Sequence, residues 1–265
     1  MMLIIYFRRA AGSWPHGPPL PVRARDSTRR SDMVAIDGSV VLVTGGQRGI
    51  GKAFVDALLR RGAAKVYATA RKPGPGEDPR VEAVSLDVND ADAVAALAAR
   101  ATDVNIVINN AGVVLPAPLL KADMADVVAT FETNVFGPLR VARDFAPVLS
   151  ANGGGTLVDM HSVLSWGAGA AAYGASKAAL WSITNSLRIE LAGQGTQVVG
   201  VHLGFADTEM TTEIRAEKIA PTEVAEAVLD GVENGASEVL VDDVTRQMKA
   251  ALAGPVEGLT VSIGR

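Results

Sequence analysis

From Asp37 onward, apolar and polar positions alternate between two periods. Residues 39–43 (SVVLV) are a continuous β-branched run, the pattern of a parallel strand buried on both faces. The run stops at a glycine-rich turn, residues 44–51. KAFVDALLRRG then has helical spacing, with Gly62 placed as its C-cap. Further strands are predicted at 64–69, 81–86, 104–108, 156–160, 197–201 and 238–241. Helices are predicted at 90–100 (capped by Asn89 or Asp90), 124–149, 171–191 and 244–252, and from Pro221, a residue tolerated in a first turn. Gly137-Pro138 punctuates the longest of them. Residues 71–79 (RKPGPGEDP) are too rich in Pro and Gly for a helix. Parallel crossovers usually need a dozen or more residues, so this link is the weakest point of a parallel arrangement. No repeat or linker interrupts residues 37–253. The alternation predicts an α/β fold, a single-domain doubly wound parallel sheet.

Composition narrows the function. The chain has 265 residues, 48% of them hydrophobic and 20% charged, which is a well-packed globular composition. It has no Cys, which excludes disulfides, thiolate metal sites and a Cys nucleophile, and fits a cytoplasmic protein. His16, His161 and His202 are too scattered to predict a metal site. Residues 1–32 carry a net charge of +4 against −8 for the remainder. The acidic body argues against nucleic-acid binding. The leader's apolar run, residues 1–7, precedes its arginines, which makes it a poor secretory signal and too short a membrane span. A disordered extension over 1–32, with the folded domain at 33–265 and Met33 as a natural start, is the expectation; a transit peptide is the weaker alternative.

Chemistry concentrates at two places. Tyr173 and Lys177 lie one turn apart on a single helix face, where an ammonium favours phenolate and would lower the tyrosine pKa. The same spacing also suits a packed Tyr beside a solvated Lys. Gly45, Gly49 and Gly51 follow the first strand, where glycines let a backbone approach a pyrophosphate at a helix N-terminus. The second strand ends in Ala70-Arg71-Lys72 with no acid before Glu77, and Arg48 adds charge in the glycine turn. That pattern suits the 2′-phosphate of NADP(H) over the free ribose of NAD(H).

With these motifs in order, the chain resembles the short-chain dehydrogenase/reductase family over residues 37–210. The set is Thr44-Gly45-x-x-x-Gly49-x-Gly51, Asn109-Asn110-Ala111-Gly112, Asn134 in TNVFG, Ser162, and Tyr173-x-x-x-Lys177. The resemblance implies a Rossmann-type, three-layer αβα enzyme. Tyr173 would be its general acid/base, Lys177 would hold the nicotinamide ribose and lower the Tyr173 pKa, Ser162 would orient the substrate oxygen, and Asn134 would hold a relay water. Gly45, Gln47, Arg48, Gly49, Ile50, Gly51, Arg71, Asp87, Val88, Asn110, Ala111, Gly112, Gly204 and Thr208 would complete the cofactor site. Asp87 would lie near the adenine, Thr208 at the carboxamide, and Asn110 would also steady the sheet.

Four departures stand out. Ser162 lies eleven residues before Tyr173, a shorter spacing than the family's, which leaves Ser165 as a fallback. His161 stands where another Ser is common and reads as a locally bonded strand-end residue. Leu203-Gly204 replaces Pro-Gly, and the C-terminal region differs from the glycine-rich ending. Segments 113–119, 163–172 and 205–214 are mainly apolar, so the expected substrate is a neutral, fairly hydrophobic carbonyl compound or alcohol. A homodimer or homotetramer is expected. The competing reading is a C-factor-like, non-catalytic dinucleotide-binding or signalling protein.

Overall fold

The computed structural model describes residues 34–76, 78–115 and 117–261; the expectations for residues 1–32, Met33 and Glu77 lie outside that set. β1 (Val40–Val43), β2 (Lys65–Ala70), β3 (Val81–Ser85), β4 (Ile106–Asn109), β5 (Thr156–Met160), β6 (Gln197–His202) and β7 (Glu238–Leu240) form one sheet. Its order is β3-β2-β1-β4-β5-β6-β7, and every pairing is parallel.

The period of two sorts the strands' side chains between two cores. Val41, Val43, Ile106, Ile108, Val158 and Val199 face α1 (Gly49–Arg60) and α6 (Pro221–Glu233). Leu42, Val107, Leu157 and Val198 face α2 (Ala91–Arg100), α4 (Gly137–Ala151) and α5 (Ala171–Glu190). Phe54 on one side and Phe145 on the other are fully buried. Local caps agree with the sequence: Asp90 accepts from the Ala93 N–H, and Gly62 has a φ of 86° just past α1. α7 (Asp243–Ala251) closes the C-terminal side.

The parallel arrangement holds at its weakest point, and two element boundaries shift. β2 and β3 remain parallel with no helix between them, Val66 opposite Val81 through Ala70 opposite Ser85. Asp78 holds the returning coil by accepting from the Arg80 backbone and guanidinium. The fourth strand begins at Ile106, because the Asn105 side chain takes the Val40 N–H at 3.0 Å before the ladder starts. The stretch 124–149 is three pieces: α3 (Met124–Phe131), a π-helical turn (Glu132–Phe136) and α4. Pro138 lacks an N–H, so the ladder cannot pass through it unchanged and widens just before it.

Phe54→Ala should destabilise the fold by about 3–5 kcal/mol, because its ring leaves a cavity between α1, α6 and the sheet. Urea denaturation with an unchanged slope is the check.

Candidate active site

The strand order reverses between β1 and β4, and ligands in open α/β sheets bind beyond the carboxyl ends at such a switch point. Thr44 knits the two ends together. Its hydroxyl oxygen accepts from the Asn110 and Ala111 N–H groups at 3.0 Å each. Asn110 returns its amide N–H to the carbonyls of Thr44 at 3.0 Å and Gly45 at 3.3 Å. Gly45 and Gly49 take φ values of 64° and 52°, in the left-handed region. A Cβ on Gly51 would lie 2.0 Å from the Gly45 carbonyl oxygen, so α1 docks on this turn only through a glycine. Arg48 provides no side-chain cap and the first turn of α1 has no acid, so its N–H groups remain directed at an incoming anion. This cradle fits a dinucleotide pyrophosphate.

Around it, Arg71 and Lys72 are exposed, as is Asp87 beyond β3. Gln47 clamps both backbone groups of Gly74, at 2.7 and 3.1 Å. Arg48 pairs with Glu209 at 3.0 Å. Thr208 meets the turn from the opposite side, its Cγ2 3.2 Å from the Cβ position of Gly49. The Gly204 N–H donates to Asp242 at 2.6 Å. Ile50 packs against the α1 core, and the Val88 side chain is buried against Gly137. Asn110 ties β1 to β4, while its neighbour Asn109 reaches Asp159 on β5 at 2.9 Å and the Pro138 carbonyl at 3.2 Å.

The second cluster forms where β5, the π-turn and α5 meet. Asn134 is wholly buried in the π-turn; it accepts from the Val113 N–H and donates to the Val113 carbonyl and to Ser176. Between it and Lys177 lies Gly112, whose Cβ position is 3.3 Å from Asn134 Oδ1 and 3.8 Å from Lys177 Nζ. Lys177 is buried and donates to the Met160 carbonyl at 2.7 Å. Ser162 caps a short 3₁₀ turn (Val163–Ser165), accepting from the Leu164 N–H, and its side chain acts to lower the pKa of the Tyr173 phenol. Ser165 turns back to accept from the Ser162 N–H at 3.4 Å. α5 starts at Ala171 with a φ of 49°, the single non-glycine residue in that region among the described residues, two positions before Tyr173.

The electrostatics correct one expectation. Burial pushes the Tyr173 phenol up to about 12, with the Ser162 hydrogen bond acting against it. Burial likewise brings Lys177 down to about 8, with Asp159 acting against it. Lys177 does not lower the phenol here: its Nζ lies 5.8 Å from the ring centroid and is spent on Met160, and desolvation dominates both groups. Among the described residues no acidic or imidazole cluster suits a metal, and no helix is long and apolar enough to cross a membrane.

Comparison with known proteins bears on the same crevice. The short chain dehydrogenase family model matches residues 39–219. The chain belongs to the short-chain dehydrogenase/reductase family. It is therefore an NAD(P)-dependent oxidoreductase by family. It is 30% identical over 232 residues to the ketoacyl reductase HetN of Nostoc sp., covering 79% of this chain and 80% of that protein. It is also 30% identical to the 3-oxoacyl-[acyl-carrier-protein] reductase FabG of Vibrio cholerae, over 71% of this chain and 81% of that one. Its fold is similar to that of a short chain dehydrogenase from Burkholderia cenocepacia J2315 in complex with NADP. The TM-score is 0.80 and the identity 40%, covering 85% of this chain and 97% of the other.

Within this short-chain dehydrogenase/reductase, sequence reasoning passed over Thr44 as an actor, although it opens the glycine motif. It missed Asp242, which lies in an unremarkable acidic pair. It also read His161 and His202 as separate, whereas they meet at 3.1 Å.

The Lys177 shift carries a sign. From about pH 8 to about 10.5 the unfolded chain holds a proton that the folded lysine has lost, so stability from this group rises with pH across that window. Urea midpoints for the wild type and Lys177→Met across these values should show the rise in the wild type and its absence in the variant.

Proposed function

We propose that the chain is an NADP(H)-dependent oxidoreductase that interconverts a neutral, fairly hydrophobic carbonyl compound and its alcohol. The observation that supports it is the convergence of Ser162, Tyr173, Lys177 and Asn134 beside a glycine cradle. The names of relatives as ketoacyl and 3-oxoacyl reductases agree with a ketone as substrate. The NADP bound to the Burkholderia protein agrees with the cofactor, as do the free side chains of Arg71 and Lys72 at the end of β2.

Bound nicotinamide cofactor supplies or accepts the hydride. Tyr173 Oη gives its proton to the substrate oxygen during reduction and takes it back during oxidation. The Ser162 hydroxyl orients that oxygen and stabilises the charge developing on it. Lys177, held by the Met160 carbonyl, would hold the ribose hydroxyls of the bound cofactor, and Asn134 keeps a lone pair on Oδ1 that would take a relay water. Ser165 is committed to the backbone and takes no part. The complete set of four side chains disfavours the non-catalytic, C-factor-like reading. α3, the π-turn and α5 present Met124, Val128, Phe136 and Ile189 to the surface, where a homodimer or homotetramer would cover them.

A panel of ketones and aldehydes assayed with NADPH and NADH is the first test. Tyr173→Phe should lower kcat by about 10²–10⁴-fold while cofactor binding persists; unchanged turnover refutes the proton donor. Arg71→Asp should raise the KM for NADPH about tenfold or more with little change for NADH. Equal effects on both would remove the 2′-phosphate role.

A further inference from the structure

Asp159, His161 and His202 are buried, and none belongs to the machinery described above. With Thr184 they form an unbroken line behind Ser162. The Ser162 carbonyl oxygen meets His202 Nδ1 at 3.1 Å, and His202 Nε2 meets His161 Nδ1 at 3.1 Å. His161 Nε2 meets Thr184 Oγ1 at 2.9 Å, and Thr184 Oγ1 meets Asp159 Oδ2 at 2.7 Å.

The protons in this line can be counted. It has four links and needs four protons. A neutral imidazole carries one N–H and a hydroxyl one O–H, so the three interior groups supply three. The Ser162 carbonyl only accepts, and a carboxylate at Asp159 would also only accept. If Thr184 donates to a carboxylate, His161 must donate to Thr184, and His202 to His161. His202 Nδ1 then turns a lone pair on the Ser162 carbonyl with no proton between them. One added proton removes the conflict.

We propose that Asp159 is a carboxylic acid at neutral pH, and that its proton orients the line in one direction, through Thr184, His161 and His202 to the Ser162 carbonyl, so that these side chains position Ser162. Asn109 donates to Asp159 Oδ1 at 2.9 Å, which marks Oδ1 as the carbonyl oxygen and leaves Oδ2 to carry the proton. The 2.9 Å contact between Thr184 Oγ1 and the Leu180 carbonyl is then a minor arm of a shared bond. Trp166 stacks on His202 at 3.8 Å between ring centroids and sets its plane.

The surroundings place the proton on the acid and not on an imidazole. Lys177 and Arg188 are the cations facing Asp159 and His161. Glu238 lies 3.7 Å from His202 Nε2 but is paired with Lys249 at 2.8 Å. Burial raises Asp159, lowers His161 well below its usual value and brings His202 down to about 4. The positioning half rests on the role proposed for Ser162; the protonation half does not.

The chain has three histidines, so ¹⁵N-histidine NMR of the whole protein is sparse. His161 and His202 should both show neutral Nδ1–H tautomers, unchanged between about pH 6 and about pH 8. An Nε2–H tautomer in either ring, or an imidazolium at His202, overturns the protonation. Thr184→Val should lower kcat about tenfold by releasing Ser162, with the NADPH dissociation constant unchanged. Asp159→Ala should do the same, and Asp159→Asn, whose amide N–H replaces the acid O–H, should restore turnover. A folded Asp159→Asn as impaired as Asp159→Ala overturns the acid. Ser162→Ala with full turnover overturns both the Ser162 role and the positioning half, while the tautomer spectra still decide the protonation.

Discussion

A strand buried on both faces must satisfy every polar group it carries, and β5 carries Asp159 within it, with His161 and Ser162 just past its carboxyl end. That requirement shapes the active-site half of the molecule. Asp159 draws Asn109 from β4 and Thr184 from α5, His161 draws His202 from β6, and the Met160 carbonyl draws Lys177. Each bond crosses between elements distant in sequence. Leaving any one unmade would cost about 1–3 kcal/mol in so dry a setting. The side chains that converge on Tyr173 are thus held by the same bonds that make the strand tolerable.

On the other half of the crevice the constraint is steric. α1 approaches the end of β1 so closely that a methyl group on Gly51 would overlap the Gly45 carbonyl. The approach aims a helix N-terminus at the place a pyrophosphate would occupy, and Thr44 with Asn110 locks the floor beneath it. The two halves meet at Gly112, whose Cβ position lies 3.3 Å from Asn134 Oδ1 and 3.8 Å from Lys177 Nζ.

The fold was largely legible because β-branched runs ending in glycine turns have few alternatives. Val40–Val43, Lys65–Ala70 and Gln197–His202 fall close to where the pattern put them. Less legible was the π-turn around Asn134, since its cause is Pro138, whose effect on the preceding ladder has no periodicity to detect. The coil between β2 and β3 looked too short for a parallel return; Asp78 and Arg80 hold it through contacts that composition does not encode. The sign of the Tyr173 shift also escaped, because i, i+4 spacing reports proximity and not burial.

Sequence by itself determined the strand–helix alternation, the glycine turn and the Tyr173–Lys177 pair, because each rests on spacing along one element. Tertiary structure alone decided which polar groups lost water and which found partners. His161 and His202 stand 41 positions apart in the chain, and only the pairing of β5 with β6 brings them into one hydrogen-bonded line. Desolvation and partnering depend on distance in space, which the order of residues leaves open until the sheet closes around them.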